Sequence, residues 1–196
     1  MSEWRKGIHD VATASPEPHS QIVELRRPVR NLTALSALPA MWKDYDPGRI
    51  ADSAASALAS MIGARFVYVG LPGECPPVDI VMMPTPADAA LRDSIAAAVK
   101  REIRRAGGRQ ATPIANPPLG EPFWLAIAPL GLDGGGVIAV GAEADNFPTE
   151  TQRLLIGMAS SEVTSALHRG HGETEMRRFV APVETSALPE RDLDGN

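Results

Sequence analysis

The chain has 196 residues, of which 44% are hydrophobic and 22% are charged, ordinary values for one globular domain with tails. Its net charge of −5 argues against nucleic acid as the main partner, and its single cysteine, Cys75, excludes an internal disulfide and a cysteine-pair metal site. Because no apolar run approaches the ~20 residues that span a bilayer and no signal-peptide core is present, we expect a cytoplasmic protein without a membrane partner.

Both ends of the chain are predicted to lie outside the folded domain. Residues 1–22 are polar and contain Pro16 and Pro18, and residues 170–196 combine glycines, prolines and charged side chains. Such segments bury too little apolar surface to offset the entropy lost on ordering. We therefore expect a disordered N-terminal tail, a folded domain over residues 23–169 and a flexible C-terminal tail.

Two amphipathic helices are predicted at the start of the domain. In the first, residues 28–42, apolar side chains recur at steps of three and four. The second begins after Asp46, a favourable N-cap, with Pro47 at the first helical position. Gly63 is the expected end of this helix.

A hairpin and a long helix follow. Residues 65–71 and 78–83 are rich in β-branched side chains and are predicted to form two paired strands. The helix covers residues 86–106, and basic residues crowd its end: Lys100, Arg101, Arg104, Arg105 and Arg109. This group either holds an anionic ligand or partner, or forms a solvated helix end.

Three more extended segments and a final helix complete the domain. Residues 110–116 contain a proline, which indicates an edge strand. Residues 123–132 and 137–144 are predicted to form strands. Thr149 and Gln152 have the spacing of a capping box, so the last helix begins there and is expected to end near residue 170.

The glycines between the last two strands permit two interpretations. Gly134, Gly136 and Ala139 match G-x-G-x-x-A, a variant of the dinucleotide-binding fingerprint, which requires a helix directly after the glycines. The residues from Val137 onward instead favour a strand, and Asp133-Gly134 is a hairpin signal. We therefore predict a hairpin here, and the whole order of elements predicts an α+β fold with an antiparallel sheet covered by helices in three layers.

The last hairpin and helix resemble the C-terminal half of a GAF domain. In that family a polar loop leads into a helix with the pattern F-[ST]-x-E…LL…A…A-x-A-[IL]. The matching residues here are Phe147, Glu150, Leu154, Leu155, Ala159, Ala166 and Leu167. The stretches "NLTALSALPAMW" and "IADSAASALASMIGARFVYVGL" are similar to the first helices and strand of GAF domains at the front of bacterial sensor histidine kinases.

The resemblance covers about residues 30–169 and implies the architecture. It implies a central antiparallel sheet of five to six strands, with the terminal helices on one face, often in a dimer bundle. The middle helix would lie over the other face, above a small-molecule pocket. A sensor kinase also needs a phospho-accepting helix and an ATP-binding domain, for which the residues after His168 leave no room. We therefore expect a stand-alone GAF-like module or a remnant of a kinase.

Four residues are predicted to line the ligand pocket: Phe66, Tyr68, Trp124 and Ala126. Phe66 and Tyr68 share one face of their strand because side chains alternate, and Trp124 shares a face with Ala126. Small residues beside a large aromatic leave room for a ligand. The alternative is that all four are ordinary core residues.

Other chemistry-bearing residues are interpreted as incidental. Cys75 has no adjacent histidine, unlike the cysteine of bilin-binding GAF domains, and one cysteine cannot complete the disulfide cycle of GAF-fold methionine sulfoxide reductases. His168, His171, Glu173 and Glu175 lie in a glycine-containing segment, so no metal site is predicted. No catalytic Ser/His/Asp set is identified.

The sequence therefore predicts a non-enzymatic sensor. It would bind a small ligand, act as a homodimer through its terminal helices and pass its state to a partner such as a histidine kinase. The ligand and any cofactor stay unidentified. The alternatives are a ligand-free dimerisation module, a remnant of a sensor kinase, and an enzyme on the same fold.

Overall fold

The structure is a computed structural model and describes residues 18–74, 76–106, 112–113, 120, 123–132 and 135–180. Its elements, in chain order, are the helices α1 (Pro18–Met41) and α2 (Pro47–Ile62), the strands β1 (Phe66–Leu71) and β2 (Val78–Met82), helix α3 (Ala89–Ala106), the strands β3 (Thr112–Pro113), β4 (Trp124–Pro129) and β5 (Val137–Ala142), and helix α4 (Glu150–Val180). None of the described helices combines the length and apolar character needed to cross a membrane.

All strand pairs in the sheet are antiparallel, as the sequence predicts. The strand order is β2-β1-β5-β4-β3, which places the first and last hairpins side by side. Four strands of five or six residues form the body of the sheet. The two-residue β3 pairs with β4 and contains a proline, which an edge position tolerates.

Each face of the sheet carries its own hydrophobic cluster. Val67 of β1 belongs to a cluster with Leu58 of α2 and Val163 of α4, to which α1 also contributes. The next residue along β1, Tyr68, belongs to a separate cluster with Ile95 of α3. Because neighbouring strand residues point to opposite faces, the two clusters belong to opposite faces of the sheet.

Local capping signals define several helix ends. The Asp46 side chain accepts a hydrogen bond of 3.0 Å from the Arg49 amide, and α2 ends at Gly63 with a left-handed φ of 69°. Thr149 and Gln152 form the predicted capping box, since each side chain accepts from the other residue's amide, at 2.8 and 3.3 Å.

The terminal helices are longer than predicted. α1 begins at Pro18 instead of near residue 28, with Pro28 inside it, and α4 continues through Gly170 and Gly172 to Val180. The predicted stop near residue 170 was wrong because a glycine costs a helix only ~1 kcal/mol relative to alanine. Both helices thus enter the predicted tails, whose remaining residues, 1–17 and 181–196, lie outside the described part of the chain.

The glycine segment after β4 joins two paired strands. Val137 begins β5, which is antiparallel to β4, so the helix that a dinucleotide fingerprint requires is absent from this position. Gly135 has φ = 73° and its amide donates a 2.9 Å hydrogen bond to Leu132 O. The predicted hairpin is therefore confirmed, although Asp133 and Gly134 lie outside the described residues.

Candidate functional site

A cavity of about 360 Å³ lies between the C-terminal half of α3 and the sheet. Four polar side chains line it: Tyr68 of β1, Asp79 of β2, and Lys100 and Arg104 of α3. The two α3 residues are four positions apart, which places them on one face of the helix. Three successive elements, β1, β2 and α3, thus supply the polar groups of one site.

The Asp79 carboxylate joins these elements. The Tyr68 hydroxyl donates a 2.6 Å hydrogen bond to Asp79 Oδ1, and Lys100 Nζ donates one of 2.6 Å to Oδ2. The side chains of Lys100 and Asp79 are 44% and 40% exposed, whereas Tyr68 is 2% exposed. The ion pair therefore stands at the mouth of the cavity and the tyrosine ring lies in its wall.

The position of the tyrosine ring depends on a glycine. Gly70 stands directly opposite Asp79 in the β1–β2 register, two residues beyond Tyr68 on the same face. A Cβ at Gly70 would lie 2.9 Å from Cζ of Tyr68, which is too close for two carbon atoms. The Tyr68 ring therefore lies over the bare backbone of Gly70, and this path brings its hydroxyl to Asp79.

The surroundings of the cluster shift two pKa values in opposite directions. Burial raises the pKa of Tyr68 well above its ordinary value, and the hydrogen bond to Asp79 and the charge of that carboxylate raise it further. Burial also raises the pKa of Asp79, but the hydrogen bonds from Lys100 and Tyr68 and the charge of Lys100 outweigh it, so the Asp79 pKa lies below its ordinary value. The cluster therefore holds a neutral phenol beside an ionised carboxylate.

Phe66 packs in the same cluster as Tyr68 but does not border the cavity. It is fully buried and makes an edge-to-face contact with Phe123, with ring centroids 5.1 Å apart and an interplanar angle of 86°. Its ring lies over its cross-strand partner Gly141, where a Cβ would lie 2.5 Å from Cζ of Phe66. Phe66 therefore occupies a core position.

Trp124 and Ala126 lie on the opposite face of the sheet from Tyr68. Ala126 pairs with Val140 of β5, which in turn pairs with Val67 of β1. All three residues belong to the cluster under α1, α2 and α4. The four residues predicted to line the pocket therefore lie on two faces of the sheet, with Phe66 and Tyr68 on one face and Trp124 and Ala126 on the other. Of the predicted set, Tyr68 alone lines the cavity beneath α3, because the strand register, which sequence does not give, decides which faces coincide.

Three of the four polar lining residues were not predicted as site residues. The sequence indicates Lys100 and Arg104 only as members of the basic group, which either holds an anionic ligand or partner or forms a solvated helix end, and it places Asp79 in a strand. A charged residue inside an otherwise apolar strand, "VDIVMM", was the available signal, because such a charge needs a partner or water.

A second cavity, of about 460 Å³, lies where the end of α1, the start of α2 and α4 meet. Trp42 and Tyr45 line it, together with the cationic side chains of Lys43 and Arg169. The Trp42 indole donates a 3.0 Å hydrogen bond to Ser53, so its polar atom is already satisfied. This second cavity lies among the helices α1, α2 and α4, away from the polar cluster around Asp79.

Most of the other candidates from the sequence lie outside the residues or side chains that the structure describes. Cys75 lies outside the described residues, as do the side chains of His171, Glu173 and Glu175. His168 is exposed on α4. Within the described ranges no three His, Cys, Asp or Glu side chains are close enough together to hold a metal ion.

Comparison with solved structures identifies the fold. The chain is similar to the GAF domain of a protein assigned as a sensor histidine kinase from Pseudomonas syringae pv. tomato, with a TM-score of 0.51 and 10% identity over 83% of this chain and 99% of that one. It is also similar to the GAF domain of an Acinetobacter phosphoenolpyruvate-protein phosphotransferase, with a TM-score of 0.44 and 10% identity over 76% and 95% of the two chains. No family model and no curated protein matches the sequence. The predicted GAF-like fold is confirmed.

Proposed function

We propose that this chain with a GAF-like fold is a non-enzymatic signalling module that senses a small ligand in the cavity beneath α3. It passes its state to a partner protein through the terminal helices α1 and α4. The proposal assumes the three-layer arrangement that the GAF resemblance implies, with five to six strands between α3 and the other helices. The observation that carries it is the turn between β4 and β5, whose described residues, 130–132 and 135–136, contact both the cavity and α4.

One side of this turn belongs to the cavity. Gly136 and Val137 line the cavity wall. The Gly136 carbonyl accepts a 2.9 Å hydrogen bond from the Leu130 amide, which ties the two ends of the turn together. A ligand that presses on Gly136 would therefore act on both ends of the turn.

The other side of the turn is held by α4. Ser160 Oγ donates a 2.8 Å hydrogen bond to the Pro129 carbonyl, just before the turn. The Gly131 amide donates to Thr164 Oγ1 at 3.3 Å, one helical turn further along α4. Displacement of the turn would thus change the contacts that position α4 against the sheet.

The mechanism we infer is a shift between two populated arrangements of the turn and α4. A ligand shifts such an equilibrium only as far as it binds one arrangement more tightly than the other. Since α4 packs in one cluster with α1 and α2, its position sets the relative angle of the terminal helices. The partner protein binds the terminal helices and responds to that angle.

Exposed apolar side chains support a homodimer formed through the terminal helices. Val29 and Met41 of α1 are 59% and 58% exposed, and Leu154 of α4 is 52% exposed. Large apolar residues on an outer helix face favour association with a second copy. The same observation favours our second candidate, a dimerisation module that binds no ligand.

The partner we propose is a cytoplasmic signalling protein, such as a histidine kinase of a bacterial two-component system. The likeness to a GAF domain of a protein assigned as a sensor histidine kinase supports this choice. Such a partner would contact the helices α1 and α4.

The test combines a ligand screen with a substitution that removes the hydrogen bond between α4 and the residue before the turn. The purified protein is screened by thermal shift against ATP, L-glutamate, haem and benzoate, and any compound that stabilises it is followed by hydrogen–deuterium exchange. We expect the compound to change exchange in α4. Ser160→Ala should abolish that change while binding persists, and Ser165→Ala, an exposed serine on the same helix, should not.

Two outcomes would contradict the proposal. Binding that leaves α4 exchange unaltered would remove the signalling route. Stabilisation by no compound class, together with dimer formation, would favour the ligand-free dimerisation module.

A further inference from the structure

We infer that the cavity beneath α3 selects a monocarboxylate with a small apolar body, such as an aryl or branched-chain acid. The inference rests on the proposed function, because it takes this cavity as the ligand site, and it adds the chemical class of the ligand. Three features of the cavity support the inference: its unpaired hydrogen-bond donors, the net charge of its lining and its apolar walls.

The cavity has more free donors than free acceptors. Each Asp79 oxygen already accepts one hydrogen bond, from Tyr68 or from Lys100. The Lys100 ammonium has three N–H donors and uses one of them for Asp79. The remaining donors call for a ligand that accepts hydrogen bonds.

Arg104 is the least satisfied group in the lining. Within the part of the chain that the structure describes, it makes no ion pair and no side-chain hydrogen bond. Its neighbours Arg101 and Arg105 differ, since both approach Glu102, at 3.9 and 3.4 Å. An arginine with free N–H groups binds a carboxylate in a two-point geometry that a neutral amide cannot match.

The net charge of the lining limits the charge of the ligand. Lys100 and Arg104 are cations and Asp79 is an anion, so the three groups together carry a single positive charge. One carboxylate balances this charge. A dianion would place its second charge near Asp79, and a cation would meet Arg104 with no new anion to pair with.

The other side chains that line the cavity are apolar. Pro72 and Pro77 come from the loop between β1 and β2, Ile103 from α3 and Val137 from β5. About 360 Å³ is near the lower end of the ~300–1,000 Å³ of ligand pockets, so the apolar body is small. A carboxylate at Arg104 would place its body against these four side chains.

The experiment compares matched acids and amides by titration calorimetry on the full chain. Benzoate and isovalerate are the monoanion probes, benzamide and isovaleramide are their neutral counterparts, phthalate is the dianion and benzylamine the cation. We expect the two monoanions to bind at least ~10-fold more tightly than the amides, the dianion and the amine. Arg104→Met should weaken the acids ~10-fold and leave amide binding unchanged, whereas Arg101→Met should alter neither.

The outcomes separate this inference from the proposed function. Equal binding of benzoate and benzamide, both lost in an Ile103→Trp variant whose fold is checked by circular dichroism, would overturn the charge selectivity and keep the sensing function. Full acid binding in Arg104→Met would do the same. Binding of none of the six compounds would overturn the carboxylate inference, and stabilisation by ATP or haem in the thermal-shift screen would still keep the sensing function.

Discussion

Tyr68 and Asp79 are diagonal neighbours in the β1–β2 strand pair, and the tyrosine hydroxyl donates a 2.6 Å hydrogen bond to the aspartate carboxylate. The contact crosses Gly70, whose missing side chain leaves room for the ring. Because Lys100 holds the second carboxylate oxygen, the contact fixes two strands and α3 at one wall of the cavity. The first three predictions test this cluster.

Tyr68→Phe is expected to lower the free energy of unfolding by about 1–2 kcal/mol, because it removes a hydrogen bond to a charged acceptor while the ring still fills its place. Urea denaturation measures the change. The matched control is Tyr45→Phe, which keeps the ring beneath the Arg49 guanidinium and should change stability by less than ~0.5 kcal/mol. Equal stability of Tyr68→Phe and the unaltered protein would contradict the role of the hydroxyl.

The ionisation of Tyr68 is expected to be displaced to alkaline pH. The chain has two tyrosines, so in the Tyr45→Phe variant the tyrosinate absorbance reports Tyr68 alone. A folded-state pKa raised above the unfolded value of ~10 means that the stabilisation is present below pH ~10 and is lost as the pH rises through the folded pKa. A midpoint at or below that of free tyrosine would show that burial and Asp79 do not act on the phenol.

Asp79→Asn is expected to destabilise the protein at pH 7 and to matter less in acid. The folded pKa of Asp79 is lowered, so its contribution is present above the unfolded pKa of ~3.9 and is lost as the pH falls through the folded pKa. Denaturant unfolding at several pH values should show the two proteins converging below pH ~4. Asp93→Asn, an exposed position on α3, should stay within ~0.5 kcal/mol throughout, and a pH-independent cost at Asp79 would argue against the ionised state.

Gly141→Ala is expected to cost about 2 kcal/mol or more, because its Cβ would lie 2.5 Å from Cζ of the fully buried Phe66 ring. Gly157→Ala provides the opposite control. It lies on an exposed face of α4 with no atom within 4 Å of the added carbon, so it should stabilise the helix by ~0.5–1 kcal/mol. Thermal unfolding checks both signs, and a neutral Gly141→Ala would mean that Phe66 has another place to go.

Leu154→Glu is expected to separate the proposed homodimer into monomers, because it replaces an exposed apolar side chain of α4 with a charged one. Sedimentation over a range of concentrations measures the change. Ser94→Glu adds the same charge at an exposed position of α3, away from the terminal helices, and should leave the dimer intact. A chain that is monomeric at every concentration before substitution would contradict the homodimer.

Short-range patterns in the sequence determined most of the elements. Asp46, Gly63 and the Thr149–Gln152 pair mark helix ends because capping involves groups only three or four residues apart. The strand after the glycines followed from β-branched residues, and the order of elements with the GAF-like helix pattern was sufficient to identify the fold.

The tertiary structure alone decided which residues meet. Alternation shows that Trp124 and Ala126 share a face, but the pairing of β4 with β5 and of β5 with β1 places that face opposite Tyr68. The cavity likewise unites Asp79 with Lys100 and Arg104, which lie more than twenty positions further along the chain. Sequence periodicity reports only the environment within one element, whereas register and helix docking are set by the packing of many elements at once.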